Sequence, residues 1–238
     1  MYIYGKNVCY ERLNSEARIH KAYVRKNFND KKILELLKNK HIKTNFVDNI
    51  VLDNKVSGLH QGIILEIDEM PTYDLDYLLN INNDKSLVVM LDHLEDPHNF
   101  GAIIRTSEAL GVDAIIIPND RTVGITDTVV KTSTGAIERV PIIRVSSLNA
   151  ALEKLKDNGY WIIGSDMNGT DYTSIDYNMK IVLIIGNEGK GMSKTLEKNC
   201  DYIATIPMIG KINSLNASVS CGILLSEIVR QRGNNGSK

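Results

Sequence analysis

Residues 87–118 read LVVMLDHLEDPHNFGAIIRTSEALGVDAIIIP. An uninterrupted apolar run, Leu87–Leu91, opens this stretch, and a second, Ala114–Ile117, closes it. Between them Ala102–Leu110 carries apolar residues at helical spacing. Apolar runs without polar alternation are what strands buried on both faces look like. The pattern repeats toward the C-terminus. Further runs occur at Pro141–Val145, Tyr160–Gly164, Ile181–Ile185 and Tyr202–Ile206, with helical patterns at Thr128–Glu138, Leu148–Asp157 and Ser193–Asn199. Six such strands with intervening helices predict an α/β domain over residues 87–232, built on a mostly parallel sheet covered on both sides. Ligands of open sheets of this kind bind outside the carboxyl ends of the strands.

Upstream, residues 68–86 (DEMPTYDLDYLLNINNDKS) are acidic and polar, with few apolar residues outside Leu75–Leu79. They predict a flexible linker with one short helical turn. Residues 1–67 form a smaller α/β module. Helical tendency at Val8–Leu13 is followed by a strand pattern at Arg18–Val24, a helix Lys31–Lys40 capped by Asp30, and strands at Thr44–Val47 and Gly62–Ile67. Residues 233–238 are a polar tail expected to be disordered.

The net charge is −1, but it is unevenly spread. Residues 1–58 carry twelve Lys/Arg against six Asp/Glu, whereas residues 59–86 carry one against six. A basic N-terminal piece on a near-neutral body is a modest footprint for a polyanion, or a solvated surface. The three cysteines, Cys9, Cys200 and Cys221, match neither a disulfide framework nor a C-x-x-C metal site. No long apolar window and no signal-peptide pattern occurs, so the expected compartment is the cytoplasm.

Three stretches are candidates for chemistry. Asp92 ends the first strand, and Asn99 and Arg105 follow six residues apart. A helix beginning near Gly101 would put Asn99 at its mouth and Arg105 one turn in, facing the same cleft. A guanidinium fork with an amide suits phosphate or ribose recognition; the plainer role for Arg105 is an i,i+3 ion pair with Glu108. His93 and His98 lack a third ligand at metal-site spacing, so no metal is expected. After the fifth strand comes Gly186-Asn187-Glu188-Gly189-Lys190-Gly191. Its G-x-x-G-x-G spacing is neither a dinucleotide fingerprint nor a P-loop, and Glu188 would repel a pyrophosphate. A cationic or zwitterionic ligand suits it better, beside the plain reading of a loop without a ligand. The third stretch is IPMIGKINSLNASVSCGILLSEIVR, residues 206–230, a strand end, a polar turn and a helix crowded early with small residues. Ser214 or Asn213 is its expected N-cap.

Together and in this order, these stretches resemble the SpoU branch of the SPOUT superfamily, S-adenosylmethionine-dependent RNA 2′-O-ribose methyltransferases. The resemblance rests on Asp92 with Pro97 to Thr106, on Ile185 to Gly191, and on Ile206-Pro207-Met208 with Ser214-Leu215-Asn216-Ala217-Ser218. Lys131 to Ala136, with Val140-Pro141, is similar to a further family segment. Ala217 stands where many members have Val, and Asn213 where a small residue is common. Tyr4 to Val8 and His60-Gln61-Gly62 resemble the ends of the L30e-like RNA-binding module of one subgroup, nearest the 23S ribosomal RNA guanosine-2′-O-methyltransferases of RlmB/TrmH type.

The resemblance implies a parallel sheet whose C-terminal part forms a deep trefoil knot, an exception to unknotted connections, and a homodimer with both subunits lining each site. It implies S-adenosylmethionine held by Gly186, Ile206 and Leu215, with Ser214, Asn216 and Ser218 nearby. Arg105 would be catalytic, with Asn99 and Glu188 orienting it, the ribose or the partner's loop. Lys6, Arg18, Lys21, Arg25 and His60 of the basic module would bind RNA, with 23S ribosomal RNA ahead of transfer RNA. A non-catalytic RNA-binding protein on the same fold is the alternative from another class.

Overall fold

The computed structural model describes residues 1–81, 83–212 and 214–233. Asn213, one of the two expected caps, and nearly all of the expected tail lie outside the described residues.

The N-terminal module runs β1 (Tyr2–Tyr4), α1 (Lys6–Asn14), β2 (Ile19–Arg25), α2 (Lys31–Asn39), β3 (Thr44–Val47), α3 (Asn49–Asp53) and β4 (Ile63–Ile67). Its sheet order is β1-β4-β2-β3, with β4 antiparallel to both neighbours and β3 parallel to β2. Asp30 caps α2 as expected, its carboxylate accepting from Ile33 N–H.

The segment expected as a flexible linker is packed instead. Tyr73 pairs beside Ile143: its N–H donates to Ile142 O and its own carbonyl accepts from Arg144 N–H, both at 2.9 Å. Helix α4 (Leu75–Leu79) then buries Leu75 and Leu78 against the larger sheet. The acidic side chains that suggested a linker lie on its outer face, while two leucines three residues apart supply the buried one.

From there the chain alternates as predicted: β5 (Leu87–Leu91), α5 (Pro97–Ala109), β6 (Ala114–Pro118), α6 (Asp127–Thr132), β7 (Ile142–Val145), α7 (Leu148–Asp157), β8 (Trp161–Asp171), β9 (Ile181–Ile185), α8 (Lys194–Glu197), β10 (Tyr202–Thr205) and α9 (Ala217–Gln231). All pairings in this sheet are parallel, in the order β10-β8-β9-β5-β6-β7. The C-terminal strand and helix thus return to the half of the sheet laid down by β8 and β9, as the expected knotted topology requires. Alternate residues of β5 feed two cores. Leu87, Val89 and Leu91 pack with Phe100 and Ile104 of α5 and Leu224 and Leu225 of α9. Val88 and Met90 pack with Leu152 of α7, Leu196 of α8 and Leu78 of α4. The first core continues into the N-terminal module through Ile3, Leu13 and Leu65. The helix expected over Thr128–Glu138 is broken, because Thr134 and Gly135 take left-handed backbone (φ 49° and 86°) before a short 3-10 turn, Ala136–Glu138.

Near the end of α9 the buried Glu227 accepts from Arg230 Nε and Nη2, each at 2.7 Å, and from Gln231 Nε2 at 2.8 Å. These donors favour the ionised form and pull its carboxyl down to about 2, from an ordinary value of 4.5. A carboxyl whose folded-state value is lowered gives stability that is present above its unfolded value and lost as pH falls toward the folded one. Glu227→Gln is therefore expected to flatten the acid-unfolding curve between pH 4.5 and 2, measured by circular dichroism; an unchanged slope there would refute the assignment. No described helix is long and apolar enough to cross a membrane.

Candidate active site

The carboxyl ends of β5 and β9 are adjacent, and their loops are tied together by side chains. Asp92, 2% exposed at the end of β5, accepts from Ser193 N–H at 2.6 Å and contacts His93 Nδ1 at 2.6 Å. Asn187 donates to His93 O at 2.8 Å, while its Oδ1 accepts from the N–H groups of Gly189 and Lys190. Backbone bonds in both directions between Asn187 and Gly191 close the loop into a small ring. A Cβ on Gly186 would lie 2.5 Å from Gly191 C and Met192 N, so glycine is required for the ring to fold back on β9.

Helix α5 starts earlier than the sequence suggested. Asp96 is its cap, accepting from His98 N–H, and Pro97 takes the first helical position, where its missing N–H costs nothing. Asn99 therefore sits inside the first turn, nearly buried, rather than at the mouth. Its Nδ2 donates to Glu188 Oε1 at 2.9 Å and its Oδ1 accepts from Asn216 Nδ2 at 2.9 Å. One amide thus joins all three candidate stretches. Asn216, not Ser214, caps α9: its Oδ1 accepts from the N–H groups of Ser218 and Val219 and from Ser218 Oγ.

Between these loops lies a cavity of about 390 Å³, within the usual range for small-molecule sites. Apolar walls come from Ile185, Ile206, Met208 and Leu215, and charge from Asp166, Glu188 and Lys190. Of the six residues expected at a cofactor, Gly186, Ile206, Ser214 and Leu215 line it. Asn216 and Ser218 do not; they organise the start of α9 behind the wall.

Asp166 and Met167 were not among the residues singled out in the sequence. In the β8–β10 pairing, Gly164 faces Ile203 and the next partner of β10 is Thr170, so Ser165–Gly169 bow out of register over the cavity. The available signal was position alone, immediately after the apolar run Tyr160–Gly164, at the carboxyl end of a strand.

Arg105 is not brought to this cavity. Six residues on a helix of 3.6 residues per turn place it ~120° around the axis from Asn99, and it is exposed. Nor does it take the plain ion-pair role: Glu108 accepts instead from Arg139 Nε at 2.8 Å. In the N-terminal module Lys6 and Arg25 lie at one end, Lys6 3.5 Å from Asp30 and Arg25 packed over Gly62. Arg18 and Lys21 lie toward the other end of β2, Lys21 over the Tyr23 ring at 5.0 Å. His60 is buried with both ring nitrogens occupied, one contacting Asp53 at 2.9 Å and the other accepting from Gly62 N–H at 2.9 Å. Both contacts lie within the module and shape the loop around Gly62.

The SpoU rRNA Methylase family model matches residues 86–226, and the RNA 2′-O ribose methyltransferase substrate binding model matches residues 2–73. The chain belongs to the SpoU family. It is 40% identical to the Bacillus subtilis protein YacO, assigned by name to the TrmH family of tRNA/rRNA methyltransferases, over 97% of this chain and 96% of that one. The structure of the SpoU methyltransferase AviRb from Streptomyces viridochromogenes, in complex with AdoMet, superposes with TM-score 0.85 at 26% identity, over 100% of this chain and 91% of that one. A TrmH/SpoU tRNA modifying enzyme of A. aeolicus matches at 30% identity and TM-score 0.58, over 68% of this chain and 82% of that one. The SpoU domain is thus the larger sheet with its cavity, preceded by a substrate-binding module, and the protein is an RNA methyltransferase.

Proposed function

We propose that this SpoU protein methylates the 2′-hydroxyl of a ribose, a guanosine's, in 23S ribosomal RNA, using S-adenosylmethionine. The observation that carries the reading is the amide of Asn99, which ties Glu188 and Asn216 together beside a cavity fitted to a zwitterionic ligand. The donor supplies a methyl group made electrophilic by a sulfonium. The chemistry of the lining suits such a molecule: Asp166 and Glu188 would complement its positive groups, Lys190 its carboxylate, and Ile206, Met208 and Leu215 its adenine. Backbone at Gly186, Ile206 and Leu215 would hold it, with Ser214 at the wall and Asn216 and Ser218 fixing the start of the helix.

A ribose hydroxyl is a poor nucleophile and must lose its proton as it attacks. Arg105 stabilises the developing alkoxide; a guanidinium already holds its proton and is a poor acceptor, and water or an RNA phosphate takes the proton. Because Arg105 is exposed and does not line its own chain's cavity, we assign it to the cavity of a second subunit. The surface beside the cavity supports a homodimer: Ile209 is fully exposed, Ile212 74% and Val219 49% exposed, an unusual apolar display for a lone protomer.

The module of residues 1–67 supports ribosomal RNA as substrate. The A. aeolicus tRNA modifying enzyme aligns with 68% of this chain, whereas AviRb aligns with all of it. Lys6, Arg25, Arg18 and Lys21 contact RNA phosphates, and His60 orders the loop between them. Mapping 2′-O-methylation in ribosomal and transfer RNA from cells with and without the gene tests the proposal. Loss of one mark on a 23S guanosine is the expected result; loss of a tRNA mark alone would overturn it.

A further inference from the structure

Lys131–Val140 is similar to a family segment, yet none of it lines the cavity. Its work lies elsewhere. On one side it is pressed against the catalytic helix: a Cβ on Gly101 of α5 would fall 2.5 Å from Thr132 Cβ. On the other it receives the N-terminal module. Arg12 of α1 is 4% exposed and donates through Nη1 to both oxygens of Glu138, at 2.7 and 2.8 Å, and through Nη2 to Arg18 O. Arg139 reaches Glu11 at 3.4 Å as well as Glu108. A Cβ on Gly135 would lie 2.8–2.9 Å from Glu11 Cγ and Cβ, so the left-handed glycine admits α1. Lys131 sits over the Tyr4 ring at 4.8 Å.

Resting on the functional reading above, we propose that Arg12 and Glu138 are positioning residues for target selection. The buried pair locks the RNA-binding module in one orientation against the helix that carries Asn99. The module then acts as a fixed ruler rather than a tethered hand: the nucleotide presented for methylation is the one at a set distance from the bases and phosphates the module grips. A buried pair fits this role because its attraction falls away steeply once the domains separate and either charge meets water. Truncating one partner strands the other, whereas neutralising both spares the fold that penalty.

The test uses the full-length protein with spin labels at Glu35→Cys and Glu153→Cys, both exposed positions, in a Cys200→Ser background. The parent is expected to give a single narrow interlabel distance. Arg12→Gln with Glu138→Gln is expected to broaden it, to leave donor affinity unchanged, and to lower kcat/KM on the ribosomal RNA target by roughly 10²-fold, since small misplacements of a reacting group cost that much. Methylation at neighbouring nucleotides should rise in the same variant. Arg139→Ala, at the exposed rim, should broaden the distance less, and it decides the matter if the double variant does not fold. A narrow distance with normal site choice in these variants overturns the proposal. A parent that transfers no methyl to RNA overturns the functional reading instead, and the distance measurement still decides the lock.

Discussion

Arg105→Ala is expected to lower methyl transfer by roughly 10²–10³-fold, the usual cost of removing one preorganised group that stabilises a developing oxyanion. Donor affinity, measured by calorimetry, should stay at the parent value, because the guanidinium acts on the alkoxide that develops on the RNA and not on the donor. Mixing gives a sharper version. If Arg105 serves the partner's cavity, a heterodimer of Arg105→Ala with a donor-site variant such as Gly186→Val has one complete site. Random exchange then restores about a quarter of the parent activity to two inactive proteins. If Arg105 serves its own cavity, the mixture stays dead. That outcome would remove the dimeric site from the proposal.

Asn99→Ala is expected to have the next largest effect. It leaves the Glu188 carboxylate and the Asn216 amide without the partner that now bridges them at 2.9 Å on either side. Both groups are exposed and can turn to water, so each lost bond costs about 0.5–1.5 kcal/mol, and Asn216 is also the cap of α9. Donor affinity should therefore fall by at least ~10-fold, with a lower Tm. Asn99→Asp sets a carboxylate against Glu188 in place of the amide that now donates to it, and should likewise weaken donor binding. Parent-like donor binding by Asn99→Ala would show that the bridge is dispensable.

The large sheet was readable because its parallel strands are buried on both faces and announce themselves as unbroken apolar runs. Leu87–Leu91 and Ile181–Ile185 coincide with β5 and β9, and Leu148–Asp157 with α7. Short elements that depend on distant partners were not readable. β1 spans only Tyr2–Tyr4 and exists by pairing with Ile64–Glu66. The same limit holds for the site. Asn99, Glu188 and Asn216 each stand out in the sequence, but the bonds joining them cross 89 and 117 residues. The start of α5 was marked by Asp96-Pro97, and reading that cap would have put Asn99 and Arg105 on different faces. His60 looks like an RNA ligand by its place in the His60-Gln61-Gly62 resemblance; only the fold shows both its nitrogens taken.

The cavity is walled entirely by residues 165–220, while the N-terminal sheet is complete at Ile67. During synthesis the module is therefore whole long before any donor site exists. At about 5–20 residues per second, some 150 further residues take roughly 8–30 s. Throughout that interval the nascent chain carries the substrate-binding module but has no means of modifying RNA. A message cut short anywhere before the last helix would yield a chain with the substrate-binding module and no complete donor cavity.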